Sequence, residues 1–321
     1  MKKFLTTGAA VAAVFAAMGG IAQAQYAQNE EVKVLIGYAP GGGSDALANL
    51  VHPFLTKELG INLVNEYRPG ASGAIAWTML AKQTNADGNT ISITTTPTLV
   101  TNPMMNPDIR YELEEFDLIA NIVTDPGVIV VARDSQFQTA EEFFDHAREN
   151  PGRVTVGNSG VGGDDYFATL MVEEQSDLDF QLIPFEGDGP SWTAAMGGQI
   201  DASFNNLGIT YPQIQAGNLR VLAIMAAERH EGLPDVPTMR ELGYDVISGS
   251  SRGYAAPAGL PQERREALVS AMEKVTQDPE FLAVARERAI EIDFMGGEDY
   301  KNYLVGMKDT YGRLMERGEA Q

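Results

Sequence analysis

The chain has 321 residues, 44 of them acidic against 23 lysines and arginines, for a formal net charge of −21, and it contains no cysteine. So acidic a balance disfavours nucleic acid and anionic membrane surfaces as partners. The missing cysteines exclude disulfides, thiolate metal sites and cysteine nucleophiles together.

Met1-Lys2-Lys3 is basic, Phe4 to Met18 is apolar and alanine-rich, and Ala22-Gln23-Ala24 is an A-x-A site. These are the three parts of a secretory signal peptide, so cleavage after Ala24 and a periplasmic location are expected. An uncleaved anchor is the rival reading, although Thr6, Thr7, Gly8, Gly19 and Gly20 dilute the apolar run. Cleavage leaves 297 residues and moves the net charge to −23. That length suffices for two domains. No second apolar run reaches spanning length, so a soluble mature chain is expected.

In chain order, residues 31–38 read as a strand, Ala39-Pro40-Gly41-Gly42-Gly43 as a glycine turn, and Ala46 to Leu59 as a helix closed by Gly60. Ser44 or Asp45 is the expected N-cap, and Pro53 predicts a kink or break near His52. Ile61 to Tyr67 is a second strand, Arg68 to Gly73 a second glycine turn, Ala74 to Lys82 a helix, and Thr90 to Thr96 a third strand. Strands alternating with helices predict a parallel sheet with ligands beyond the carboxyl ends of its strands. Gly41 to Ser44, Ser72 and Thr95 to Thr98 would meet there.

Val128 to Ala132, following Asp125-Pro126-Gly127, reads as a short, fully apolar strand. Thr139-Ala140-Glu141-Glu142 is a capping box opening a helix to about Glu149. The opening pattern then returns: strand Arg153 to Val156, glycine turn Gly157 to Gly163, helix Tyr166 to Glu174. Strands are expected at Phe180 to Pro184, Ile200 to Phe204 and Leu219 to Met225, with a short helix Ser191 to Met196. Two terminal helices, one opening at Leu260-Pro261 and one over Glu298 to Arg317, read as packing elements.

A glycine turn leading into a helix presents unpaired N–H groups to an anion. Two such corners suit a two-lobed protein with a cleft. Gly41-Gly42-Gly43-Ser44-Asp45-Ala46 also satisfies the G-x-G-x-x-A dinucleotide fingerprint, with Glu66 twenty residues on, so an exported oxidoreductase is an alternative. Gly70 to Ala74 and Gly157 to Val161 fail the G-x-S-x-G form at the last position. His52, His146 and His230 are scattered, so neither a catalytic triad nor a metal site is legible. Of the acidic pairs, Asp164-Asp165 alone lies at a glycine corner. Arg252, among Gly249, Ser250, Ser251 and Gly253, is either a surface residue or a cation for a ligand carboxylate.

These segments carry a resemblance. Tyr38 to Asp45, Asn65 to Gly73, Ala86 to Gly88, Gly157 to Gly162, Phe185 to Pro190, Gly197 to Asp201, Leu219 to Ala223, Leu233 to Thr238 and Ala256 to Gly259, in this order, make the chain resemble the periplasmic substrate-binding proteins of tripartite tricarboxylate transporters, the Bug proteins. The resemblance implies an α/β fold of the two-lobed, type II-like periplasmic binding protein class, each lobe a mainly parallel sheet flanked by helices. It places lobe 1 at residues 25–127 plus 250–321 and lobe 2 at 128–249, hinged near Val128 to Ala132 and Ser250 to Gly253. It implies a small organic carboxylate between the lobes, delivery to membrane permease subunits, no catalysis, no cofactor and no metal. A monomer is expected, and a sensor docking on a membrane receptor is a further alternative. The implied ligand-binding set is Ala39, Gly42, Gly43, Ser44 and Asp45 from the first corner and Ser159, Gly162, Gly163 and Asp164 from the second. Ser72, Thr95 and Thr98 are implied side walls, and Asn205, on the loop after its strand, and Arg252 complete the set. The acidic second corner departs from the family pattern. Arg252 points to an added negative charge on the ligand, favouring citrate-like tricarboxylates or short dicarboxylates.

Overall fold

The computed structural model describes residues 26–318, so the expected signal peptide and its cleavage site lie outside the described residues. Strand β1 (Glu31–Ile36) runs into helix α1 (Gly43–Leu59), followed by β2 (Asn62–Tyr67), α2 (Ala74–Gln83), β3 (Thr90–Thr95) and α3 (Thr98–Met105). Strands β2, β1 and β3 pair in parallel in that spatial order. The pattern recurs in β5 (Val154–Asn158), α5 (Asp164–Glu174), β6 (Phe180–Pro184), α6 (Asp188–Met196) and β7 (Ala202–Asn206), where β5 lies between β6 and β7 in parallel.

One strand joins the two arrays. β4 (Phe116–Ala132) is 17 residues long and almost wholly buried. Its first part pairs antiparallel with β9 (Gly249–Pro257) and β10 (Glu291–Gly296), and its second with β7 and β8 (Leu219–Ile224). The strand expected at Val128 to Ala132 is therefore only the far end of a longer one that includes Asp125-Pro126-Gly127. Pro126 has no N–H to donate, and it falls where β4 leaves one half-sheet for the other, a position that tolerates proline. Gly127 N–H resumes pairing with Ser248 O at 2.8 Å.

Helices cover both faces. Helix α1 packs with α8 (Gln262–Gln277) and α9 (Pro279–Glu287) on one face of the first half-sheet, through Leu47, Val51, Leu268 and Phe281. The other face receives α2, α3 and α10 (Gly297–Gly318), with Trp77, Tyr111 and Tyr300 at its centre. On the second half-sheet, α4 (Ala140–Glu149) and α5 cover a cluster that includes Phe143, Phe144 and Phe204, and α7 (Leu207–Gln215) packs opposite. Thr139 caps α4 by accepting from Glu142 N–H at 3.2 Å, as its sequence predicts. Helix α1 is continuous through Pro53, contrary to the expected break: its apolar stripe stays buried against α8 and α9. The sequence announces neither the helices α3, α7 and α9 nor the strands β9 and β10. Pro103 and Pro212 sit inside the first two of these and mask their periodicity.

Two glycines separate close packing from free surface. A Cβ on Gly253, in β9, would fall 2.1 Å from Ala120 O of β4, whereas one on Gly306, in α10, meets nothing within 4 Å. Gly253→Ala is expected to lower the unfolding free energy by about 1–3 kcal/mol. Gly306→Ala is expected to raise it by about 0.5–1 kcal/mol. Urea denaturation checks both signs, and equal effects would contradict this packing.

Candidate functional site

The two glycine corners face each other across the junction of the half-sheets. In the first, Gly41 has φ 85° and Gly42 is the N-cap of α1, so neither Ser44 nor Asp45 caps the helix. Asp45 instead accepts from Gly41 N–H at 3.0 Å and from Tyr67 O–H at 2.5 Å. Its carboxylate thus braces the turn from behind. Ser44 Oγ lies 3.0 Å from Thr95 Oγ1, both buried. Tyr38 O–H reaches Thr98 Oγ1 at 2.7 Å and Ser72 O at 3.0 Å. The expected meeting of Ser44, Ser72, Thr95 and Thr98 at the carboxyl ends of β1 and β3 is found.

The second corner contacts the 68–73 turn and α3, and the first corner contacts the loop before α6. Ser72 Oγ donates to Val161 O at 3.0 Å, and Thr101 Oγ1 donates to Gly162 O at 2.8 Å. Ala39 N–H donates to Glu186 O at 3.3 Å. A Cβ on Gly160 would stand 2.6 Å from Ser72 Oγ, so a side chain there would push the second corner off the 68–73 turn. Several donors of the second corner are held by its own chain. Asp165 accepts from Ser159 N–H at 2.6 Å, Ser159 O–H at 2.9 Å and Tyr166 N–H at 2.9 Å. Asp164 accepts from Asn206 Nδ2 at 2.7 Å.

Between the corners lies Arg252. It is 2 % exposed, which removes the surface reading. Nη1 donates to Asp125 Oδ2 at 3.1 Å, Nη2 donates to Asn206 Oδ1, and Nη2 lies 3.5 Å from Asp188 Oδ2. Gly43 N–H also donates to that Asp188 oxygen, at 3.3 Å. The guanidinium is packed so tightly on Gly43 that a Cβ there would be 2.1 Å from Nε. Gly43 therefore makes room for an arginine, where the sequence suggested room for a ligand. Asn205 is fully buried within β7, not on a following loop, and its Nδ2 supports the Asp188 carbonyl at 3.2 Å.

The charges at the junction are unequal: Asp125, Asp164 and Asp188 are buried around one guanidinium, and Asp165, also buried, adjoins Asp164. Burial pushes the Asp125 carboxyl up to about 6, against the pull of Arg252 and of Gly208 N–H. Asp164 is raised first by burial and then by Asp188, and Asp165 by burial and then by Asp164. The carboxylates and the bulk of Arg252 fill the cradle that the dinucleotide reading requires. Glu66, the acid of that fingerprint, bonds to Arg68 and lies 3.8 Å from Lys33. Nothing in the sequence singles out Asp125, Asp188 or Asn206: the first stands just ahead of the expected strand, the second in a segment that carries only the resemblance, and the third next to Asn205.

A raised carboxyl pKa in the folded state means stability present in full below the unfolded value and lost as pH rises through the folded one. For Asp125 the window runs from about pH 4 to about 6, and the shift is worth on the order of 3 kcal/mol. Asp164 and Asp165 act with the same sign at higher pH. The unfolding free energy should therefore fall between pH 4.5 and pH 7.5, and Asp125→Asn should flatten that fall. An unchanged slope in the variant would show that Asp125 titrates as it does in the unfolded chain.

Comparison with known proteins bears on this site. The family model described as tripartite tricarboxylate transporter family receptor matches residues 47–319. The chain is 28% identical over 299 residues to the UPF0065 protein in the gbd 5′ region of Cupriavidus necator, covering 92% of this chain and 90% of that one. It is 29% identical over 256 residues to Protein BugT of Bordetella pertussis, covering 78% of each. The periplasmic binding protein BugD superposes with a TM-score of 0.84 at 25% identity, covering 91% of this chain and 98% of that one. An R. palustris protein with adipate superposes at 0.85 with 24% identity, covering 89% and 96%, and MatC from Rhodopseudomonas palustris with bound malate at 0.76 with 24%, covering 89% and 97%. These last two establish likeness of fold.

Proposed function

We propose a function from one established premise: the chain belongs to the tripartite tricarboxylate transporter receptor family. Proteins of this family are periplasmic solute-binding proteins. The ligand proposed here is a small organic carboxylate, held where the two glycine corners meet. The observation that supports the reading is the meeting of Gly43 with Arg252 and with Asp188 of α6 at one buried junction, next to the buried pair Ser44 and Thr95. The malate and adipate named with two proteins of like fold support the same class.

Residues 25–127 with 250–321, and 128–249, act on this reading as two lobes that part along β4 and β9. Closure is favoured because a ligand touching both lobes binds the shut form more tightly. The loaded protein hands its cargo to membrane subunits of the transporter, after export with cleavage behind Ala24. Arg252 is already matched by Asp125 and Asp188, so it gives no reason to require extra negative charge on the ligand. The proposal is accordingly the carboxylate class as a whole.

A thermal-shift screen of small organic carboxylates tests this. A ligand at a hundred times its Kd should stabilise the protein by about 2.7 kcal/mol, a shift of several degrees, with no change in the ligand itself. Consumption of a carboxylate, or no shift across the whole class, would contradict the reading.

A further inference from the structure

Resting on the two-lobe reading, we propose that the 70–73 turn and Thr101 form a clasp that grips the second corner and holds the lobes shut with no ligand present. The grip joins two hydroxyls of lobe 1 to two successive carbonyls of lobe 2. Ser72 Oγ donates to Val161 O at 3.0 Å, and Thr101 Oγ1 donates to Gly162 O at 2.8 Å. Neither bond belongs to the sheet, so both must break if the lobes part along β4 and β9. The N–H groups around those carbonyls are bonded within the corner itself. Ser159 and Tyr166 N–H donate to Asp165, Gly160 N–H to Asn158 Oδ1 at 3.0 Å, and Gly163 N–H to Gly160 O at 3.2 Å. The second corner therefore offers lobe 1 its carbonyls. A Cβ on Gly162 would stand 3.0 Å from Met105 Sδ and 3.3 Å from Thr101 Oγ1, so a bare Cα lets α3 come this close.

The backbone of the turn shows what the clasp requires. Gly70, Ala71, Ser72 and Gly73 have φ values of 126°, 49°, 50° and 90°, four positive values in succession. Glycine takes such values freely, whereas the Cβ of alanine or serine crowds the following carbonyl. A strained pair of this kind persists only where its surroundings hold it. Asn102 Nδ2 donates to Ala71 O at 3.3 Å and to Ser72 O at 2.9 Å, and Tyr38 O–H donates to Ser72 O at 3.0 Å. Both side chains are buried. Helix α3 and the loop after β1 thus fix the carbonyls of the turn, and Ser72 Oγ is left to reach lobe 2. Among the described residues, Val161 O is the one hydrogen-bond partner of that hydroxyl. A glycine would suit the backbone at 72 better, so the hydroxyl is what a serine adds there. Ser72 becomes a contact between lobes, in place of the ligand side wall that the resemblance implies.

The consequence is a bias on an equilibrium. One hydrogen bond of this kind shifts an equilibrium by about 2- to 10-fold. Two of them draw the empty protein towards the shut form before any ligand arrives. A ligand enters and leaves only while the clasp is undone, so the clasp slows both steps together.

The chain has no cysteine, so Asp108→Cys on lobe 1 and Glu174→Cys on lobe 2, both at exposed positions, take nitroxide labels selectively. Double electron–electron resonance on the unliganded protein then reads the open fraction, with small-angle X-ray scattering of the unlabelled protein as a second reading. The parent should show one dominant distance between the lobes. Ser72→Ala and Thr101→Val should each raise the ratio of open to shut by about 2- to 10-fold, and together by about 4- to 100-fold. Ser72→Gly should open the lobes as Ser72→Ala does, yet melt about 2–4 °C above it, because glycine relieves the backbone. A serine that served only the fold of lobe 1 would leave the distance between lobes unmoved in both. An unchanged distance distribution in the Ser72→Ala, Thr101→Val double variant, or an empty parent that is already mostly open, would overturn the clasp. Neither result bears on the carboxylate reading, which the thermal-shift screen tests on its own.

Discussion

A single buried guanidinium fixes the middle of this molecule. Arg252 leaves β9 between the half-sheets, lies on the bare Cα of Gly43, and is held by Asp125 of β4, Asp188 of α6 and Asn206 of β7. Taking such an ion out of water costs several kcal/mol, recovered only when its partners are well placed. That requirement explains local choices in three separate parts of the chain. Position 43 must lack a side chain, position 125 must be acidic although it lies inside a strand, and the 187–189 loop must fold back onto the first corner. The cost of removing any one member is high because the others are left buried and unpaired.

The same arrangement ties the two halves together. Asp188 belongs to the second half-sheet, yet its carboxylate accepts from the first N–H of α1 and lies beside Arg252. In position and charge it does at the first corner what a bound carboxylate would do. Asp165 does likewise at the second corner. On the proposed reading, a ligand carboxylate shares the corners with these internal carboxylates. An acidic surface is no obstacle to that binding, since charges beyond about 8–10 Å are screened at ordinary ionic strength.

Much of this was legible beforehand. The strand–glycine–helix corners at 36–46 and 156–166 follow from backbone chemistry, and their helices and strands lie within a few residues of expectation. The clustering of Ser44, Ser72, Thr95 and Thr98 follows from parallel topology alone. What escaped has a common cause: tertiary pairing overrode a local signal. Asp125-Pro126-Gly127 has the composition of a turn, but β9 and β7 hold it extended. Pro103 and Pro212 break helical periodicity in α3 and α7, whose burial maintains them. The partners of Arg252 lie 127, 64 and 46 residues away in the chain, beyond any spacing rule. A sequence announces an arginine among small residues; only the folded chain shows which carboxylates reach it.

The most direct test of this account is a double-mutant cycle between Arg252 and Asp188, with Arg252→Met, Asp188→Asn and the pair, read as unfolding free energies by urea titration. Coupling within one buried network predicts an interaction energy of about 1–3 kcal/mol, the double variant being less damaged than the two singles summed. Additivity within about 0.5 kcal/mol would show that the halves are not joined through this guanidinium, and would contradict the account.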